Sequence, residues 1–169
     1  WFSLNSDGSR ESLIKIPAGG YRKMSSCETV TEKVADEYGN IRSEEQGYMN
    51  GADVFNFVIR EVPKDFNKLL KFSGVELNTI DYFVFHQANS YINGFLAKKL
   101  KLPLSKLPST IEKYGNTSSV SIPLTIVSEL RGKLSDHKRL LLSGFGVGLT
   151  WGTALIDLED CYLAEIVEV

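Results

Sequence analysis

The chain has 169 residues, 43% of them hydrophobic and 24% charged, and a net charge of −2. That length fits one domain with a single core, and the near balance of charge excludes a polyanion such as nucleic acid as the main partner. Two cysteines, Cys27 and Cys161, stand far apart without CxxC spacing, which excludes a disulfide framework and a zinc site and fits a reducing cytoplasm.

The opening Trp1-Phe2-Ser3-Leu4-Asn5-Ser6-Asp7-Gly8 has neither a basic region nor a long apolar run, so it reads as a cut end rather than a secretory signal. Residues 1–46 are polar and loop-rich, with one short edge-strand candidate, Leu13-Ile14-Lys15-Ile16. Beyond Gly47 the pattern changes. Phe55, Val58, Val62, Phe66 and Leu69 recur at helical spacing, and Pro63 inside that stripe predicts a kink or two abutting helices. Residues 80–85 form an apolar run broken only by Asp81, the pattern of a strand buried on both faces. Ala88, Ile92, Phe95, Leu96 and Leu100 mark a second helix, with Lys98, Lys99 and Lys101 at the end where its dipole favours cations. A third places Val120, Leu124, Val127 and Leu130 inward, with Pro123 near its first turn and Arg131-Gly132 as its stop. Residues 139–145 and 149–158 read as two strands joined by a glycine-rich turn. The glycines and threonines of residues 140–158 argue for buried strands over a membrane span. The order is α/β, in which ligands gather beyond the carboxyl ends of parallel strands.

His86 occupies such an end, in Tyr82-Phe83-Val84-Phe85-His86-Gln87-Ala88-Asn89. Thirty positions on stands Gly115-Asn116-Thr117-Ser118-Ser119. An imidazole at a strand end and a carboxamide in a glycine-flanked turn can aim N–H donors at one carbonyl oxygen, as enolate-forming and acyl-transfer chemistry requires. An unperturbed imidazole titrates near pH ~6.5, so near neutrality it serves as an uncharged donor if burial keeps it unprotonated. Bland readings stand beside these. His86 could be a core histidine satisfied by backbone, and Gly115 with Thr117, Ser118 and Ser119 could simply turn the chain and cap the next helix. Asn116-Thr117-Ser118 also fits the N-glycosylation pattern, which without a secretory signal is a coincidence. In residues 144–152 the third glycine of a dinucleotide fingerprint is missing in both registers, so no nucleotide cofactor is implied. Neither cysteine has an adjacent base, and His137 lies in the charged, solvated Ser135-Asp136-His137-Lys138. No nucleophile and no metal-ligand spacing emerge.

His86-Gln87-Ala88-Asn89, Gly115-Asn116-Thr117-Ser118-Ser119 and Phe145-Gly146-Val147-Gly148-Leu149-Thr150-Trp151-Gly152, with Met49-Asn50-Gly51-Ala52-Asp53-Val54-Phe55, resemble the C-terminal half of β-ketoacyl-acyl-carrier-protein synthase III of the thiolase-like superfamily. The resemblance spans residues 47–158. It implies an α/β fold, the C-terminal half of a thiolase-like fold with a mixed, mostly parallel sheet covered by helices, over residues 47–169. It also implies a cytoplasmic acyltransferase of fatty acid biosynthesis that uses acyl-CoA and acyl carrier protein, works as a homodimer and needs no cofactor beyond its thioester substrates. By the same resemblance a cysteine in an N-terminal half carries the acyl group, while His86 and Asn116 donate hydrogen bonds to the malonyl thioester oxygen. The backbone N–H of Val147 serves an oxyanion hole, Gly51, Ala88 and Asn89 line the pantetheine tunnel, and Gln87 and Tyr91 lie at the carrier-protein docking surface. The sequence departs from the family pattern at Val147, where glycine is usual, at Tyr91, where a basic residue is common, and in lacking the cysteine-bearing half. This polypeptide alone is therefore expected to be inactive, and to self-associate through the apolar face its twin would cover. Two alternatives remain open: acyl transfer to an oxygen or nitrogen acceptor, and a non-catalytic thioester-binding module.

Overall fold

A computed structural model describes residues 1–34, 36–134 and 136–167. The long helix comes first in importance. Asn50 caps it by accepting the Asp53 N–H at 3.1 Å, Gly74 ends it in the left-handed conformation, and between them α2 runs Gly51–Ser73. It is preceded by β1 (Phe2–Ser6), β2 (Ile14–Lys15), α1 (Cys27–Val30), β3 (Lys33–Val34), β4 (Ile41–Arg42) and β5 (Tyr48–Met49). After it come β6 (Tyr82–Phe85), α3 (Ser90–Leu100), α4 (Ile111–Tyr114), α5 (Ser121–Glu129), β7 (Lys138–Gly146) and β8 (Thr150–Leu158).

One helix, not two, crosses Pro63. Proline leaves the carbonyl four residues back without its helical donor. That carbonyl belongs to Ile59, and the Lys99 ammonium of α3 donates to it at 2.5 Å. The cation read as a dipole partner thus replaces a missing backbone bond.

The main sheet has the order β1-β8-β7-β6. It is mixed, as expected, but the balance between strand directions is the reverse of the expectation. Only β6 and β7 run parallel, while β7/β8 and β1/β8 are antiparallel. The glycine-rich turn explains this, because strands joined by a tight hairpin must be antiparallel. Phe2–Ser6, within the segment read as loop, is one of the two edge strands of this sheet. The candidate at Leu13 to Ile16 forms only the two-residue β2, paired with β5. Gly152 lets β1 come close: a Cβ there would lie 2.8 Å from Leu4 Cδ2 and 3.0 Å from the Ser3 carbonyl oxygen.

On one face of the sheet Phe57, Val58, Val62, Phe66 and Leu69 of α2 pack with Phe83, Phe85, Leu141 and Leu155, sealed further by Ile92, Leu96 and Leu100 of α3. Within this apolar layer sits one carboxylate, Asp65, 3% exposed. Its Oδ1 accepts from Ser3 Oγ at 2.6 Å and Asn5 Nδ2 at 2.8 Å, tying β1 to α2. On the other face Val84, Leu130, Leu134 and Leu140 form a smaller cluster with Ile122, Ile126, Leu142 and Ile156. Helix α5 is therefore turned relative to the expected stripe. Its fully buried positions are Ser121 and Thr125, Val120 is exposed, and Leu124 and Val127 are only half-buried, while Leu130, just past its end, is buried as expected. Toward β1 this second face is uncovered.

Candidate active site

The carboxyl end of β6 delivers His86. Its backbone N–H continues the parallel ladder by donating to the Ser143 carbonyl of β7 at 2.8 Å, so the backbone carrying the ring is fixed relative to the sheet. The Nδ1 atom lies 2.7 Å from Ser121 Oγ, at the first residue of α5. The Phe145 ring meets the imidazole edge-on, with centroids 5.3 Å apart. Burial lowers the His86 pKa from its ordinary value, and a backbone hydrogen bond at Ser118 opposes the shift. The ring is held toward its neutral form.

Asn116 comes from the loop between α4 and α5. Gly115 turns the chain there with φ +66°, a conformation glycine adopts without a Cβ penalty. Asn116 Oδ1 accepts the Ser118 N–H at 2.9 Å, while Ser118 itself takes a left-handed φ of +56°. The first contact orients the carboxamide and leaves its Nδ2 hydrogens unengaged by any described residue. The second is a backbone conformation that costs non-glycine residues roughly 1–3 kcal/mol and clusters at functional sites.

His86 and Asn116 line one open cavity of about 1190 Å³, together with Ser118, Ser119, Phe145, Val147 and Trp151. Its floor is the uncovered sheet face, including Leu4, Leu142, Gly144, Gly152 and Ala154. Among the described residues no Asp, Glu, Lys or Arg lines it. Desolvation, not charge, therefore tunes the histidine. Val147 projects from the turn between β7 and β8 and is exposed.

The remaining predicted residues lie elsewhere. Gly51 is the first residue of α2, and Ala88 packs at the edge of the main core. Asn89 caps α3, its Oδ1 accepting the Ile92 N–H at 2.8 Å. These three are not among the cavity-lining residues, although Met49, two positions before Gly51, is. Tyr91 is 69% exposed and stacks against Phe55 with ring centroids 5.4 Å apart. Gln87 requires a correction: it is 1% exposed and cannot belong to a docking surface. Its Nε2 donates to the Phe85 carbonyl at 2.8 Å, and its Oε1 accepts from Ser109 Oγ and the Thr110 N–H, each at 3.1 Å. Backbone groups left unpaired where the strand ends draw the side chain inward.

Ser121 was not legible as a site residue. The available signal was a serine and a threonine spaced four apart, Ser121 and Thr125, on an otherwise apolar helix. Cys27 and Cys161 are both exposed and neither lines the cavity. His137 is solvent-exposed, as expected, with Nδ1 2.9 Å from Glu159 Oε1.

Residues 70–158 match the family described as 3-oxoacyl-[acyl-carrier-protein (ACP)] synthase III C terminal. The chain belongs to that family. A beta-ketoacyl-[acyl-carrier-protein] synthase III of Clostridioides difficile is 37% identical over 154 residues, covering 90% of this chain and 44% of the relative. One of Streptococcus gordonii is 42% identical over 113 residues, 65% of this chain and 35% of the relative. The chain thus spans less than half the length of these curated relatives. Among solved structures, a 3-oxoacyl-(acyl-carrier protein) synthase from Burkholderia xenovorans superposes with TM-score 0.87 at 34% identity, covering 99% of this chain and 46% of that one. A 3-oxoacyl-(acyl-carrier-protein) synthase III gives TM-score 0.86 at 38% identity, over 93% and 47%. The synthase III C-terminal fold, α/β and thiolase-like, is therefore that of this chain. The matched segment contains His86, Asn116 and Val147. Among the described residues no helix is long and apolar enough to cross a membrane.

Proposed function

We propose that this chain is the second-substrate half of a 3-oxoacyl-[acyl-carrier-protein] synthase III of fatty acid biosynthesis, joining an acyl group from acyl-CoA to malonyl carrier protein. In the reaction the bond between the malonyl carboxylate and its α-carbon breaks, carbon dioxide leaves, and the electron pair moves onto the thioester oxygen as an enolate. The enolate carbon then attacks the acyl thioester carbonyl, forming the new carbon–carbon bond and releasing the thiolate that carried the acyl group. His86 and Asn116 hydrogen-bond the enolate oxygen without giving up their protons. Each such donor is worth roughly 2.7–4 kcal/mol where charge develops in a water-poor site.

One observation carries this reading: an imidazole whose pKa burial lowers and an oriented carboxamide, 30 residues apart in the sequence, line the same cavity, which no charged side chain lines among the described residues. The exposed position of both cysteines, away from that cavity, supports a nucleophile supplied by another half, and hence an inactive isolated chain. The reading brings with it a cytoplasmic, homodimeric enzyme whose only small-molecule requirements are its thioester substrates. In it the Val147 N–H serves the acyl oxyanion, and Gly51, Ala88 and Asn89 border the pantetheine path. The test is carbon dioxide release from malonyl carrier protein by the complete synthase. His86→Ala and Asn116→Ala should each lower it by about 10²–10³-fold. Release within a few-fold of wild type in both variants would refute the assignment.

A second reading, acyl transfer to an oxygen or nitrogen acceptor, draws on Tyr91. Its aromatic stack on Phe55 puts a neutral ring where docking of an acidic carrier would be served by a cation. Absence of carbon dioxide release from the wild-type enzyme, with acyl transfer to a hydroxyl or amine retained, would favour it.

A further inference from the structure

We propose that Ser121 is a positioning residue: its hydroxyl accepts the Gln87 N–H, donates to His86 Nδ1 and so holds the imidazole in the Nε2–H tautomer. The catalytic consequence rests on the function proposed above, but the tautomer itself is a ground-state property that can be measured without it.

The protons available at Ser121 decide the tautomer. A serine hydroxyl has one hydrogen to donate and two lone pairs to accept with. Ser121 is 1% exposed, so bulk water is not among its partners. The Gln87 N–H points at Oγ from 3.3 Å and occupies one lone pair. His86 Nδ1 is the other contact, at 2.7 Å. If Nδ1 carried a proton, Oγ would accept twice and its own hydrogen would have no acceptor among the described residues. A buried donor left unpaired costs roughly 1–3 kcal/mol. If Nδ1 is bare, it accepts the Ser121 hydroxyl hydrogen, both contacts of Oγ are satisfied and the ring proton sits on Nε2. The imidazolium, protonated at both nitrogens, meets the same conflict as the Nδ1–H form.

The hydroxyl is not free to drift from this role, because the elements around it are cross-linked by buried hydrogen bonds. Thr125 Oγ1 donates to the Ser121 carbonyl at 2.8 Å and so must accept from Thr110 Oγ1, also at 2.8 Å. The Thr110 N–H and Ser109 hydroxyl end on Gln87 Oε1, whose amide closes onto Phe85. The strand end bearing His86, the loop before α4 and the start of α5 are thereby fixed as one polar unit. This accounts for two polar residues on the buried side of α5 and for the burial of Gln87.

The experiment is nitrogen-correlated NMR of the complete synthase labelled with ¹⁵N-histidine, with the His86 signals assigned by their loss in His86→Gln. The expected spectrum shows a protonated Nε2 and a bare Nδ1. In Ser121→Ala the ring should move toward a mixture of tautomers. The kcat for malonyl decarboxylation should fall by ~10–100-fold, the scale on which partners that orient a catalytic group act, with KM within about twofold. Ser121→Thr, which keeps the hydroxyl, should restore the wild-type tautomer. The wild-type spectrum alone is decisive even if a variant fails to fold. A proton on Nδ1, shared with the Ser118 backbone instead, would overturn the proposal, as would a Ser121→Ala spectrum and kcat equal to wild type. If the tautomer is as stated but His86→Ala still decarboxylates malonyl carrier protein, the function proposed for His86 fails while the role of Ser121 stands.

Discussion

The two faces of the sheet are built to different ends. Against α2 and α3 the sheet is sealed with aromatic and aliphatic side chains, and almost every residue there serves the core. Against α5 the apolar cluster is small, the buried helix positions are Ser121 and Thr125, and the surface toward β1 lies open with His86 and Asn116 at its border. Stability is concentrated on the first face, and the chemistry proposed above belongs to the second. A side chain on the first should therefore change folding with little specific effect on the reaction, and one on the second the reverse.

Phe66→Ala should test the sealed face most severely. Phe66 is buried and packs near the rings of Phe83 and Phe85, and truncating such a side chain costs about 3–5 kcal/mol. Urea unfolding should show this as a lower midpoint. Substituting His86 by Ala probes the other face, with the decarboxylation barrier expected to rise by about 2.7–4 kcal/mol and a much smaller change in the urea midpoint. Equal effects of both substitutions on stability would erase the contrast between the faces.

Two polar anchors on the sealed face give smaller effects. Asp65→Ala removes the acceptor shared by Ser3 and Asn5 and should destabilise by ~1–3 kcal/mol. The loss should be local, so hydrogen exchange at the β1 amides should accelerate more than exchange in β6. Lys99→Met deletes the ammonium that serves the Ile59 carbonyl above Pro63 and should cost about 0.5–1.5 kcal/mol, with Lys99→Arg recovering part of it. No change on losing Lys99 would mean that water serves that carbonyl equally well.

The same contrast explains what the sequence disclosed. On the sealed face, periodicity and burial coincide: the stripe from Phe55 to Leu69 and the run ending at Phe85 identify α2 and β6 directly. The segments carrying His86 and Asn116 were visible because unusual residue types stand at a strand end and a glycine turn. What stayed hidden depends on partners distant in the chain. Phe2–Ser6 looks like a polar terminus, since its partner strand lies about 150 residues away. Gln87 looks exposed because its polarity is answered by Thr110 and Ser109. Along α5, an apolar stripe pointed Val120 inward, whereas the polar pair Ser121 and Thr125 is what the fold buries. Pro63 looked like a break because Lys99 is not adjacent in sequence.

The smallest effect concerns pH, and its sign follows from burial of His86. Folding lowers the pKa of this group from the usual histidine value of 6.5. Between the folded value and 6.5 the unfolded chain binds a proton that the folded chain does not, so stability rises with pH through that window. Below the window the full penalty for protonating the buried ring applies, and above 6.5 the contribution is flat. His86→Gln should remove this component of the slope without altering the sealed face. Because no charged side chain among the described residues lines the cavity, added salt should leave the window nearly unmoved, whereas a shift set by a neighbouring ion would be screened. The decarboxylation rate of the complete synthase should show an acid limb with its midpoint below 6.5, since only the neutral ring offers Nε2–H while leaving Nδ1 bare for Ser121. A midpoint above 6.5 would mean that the imidazolium is the favoured form in the cavity and that desolvation does not govern this face.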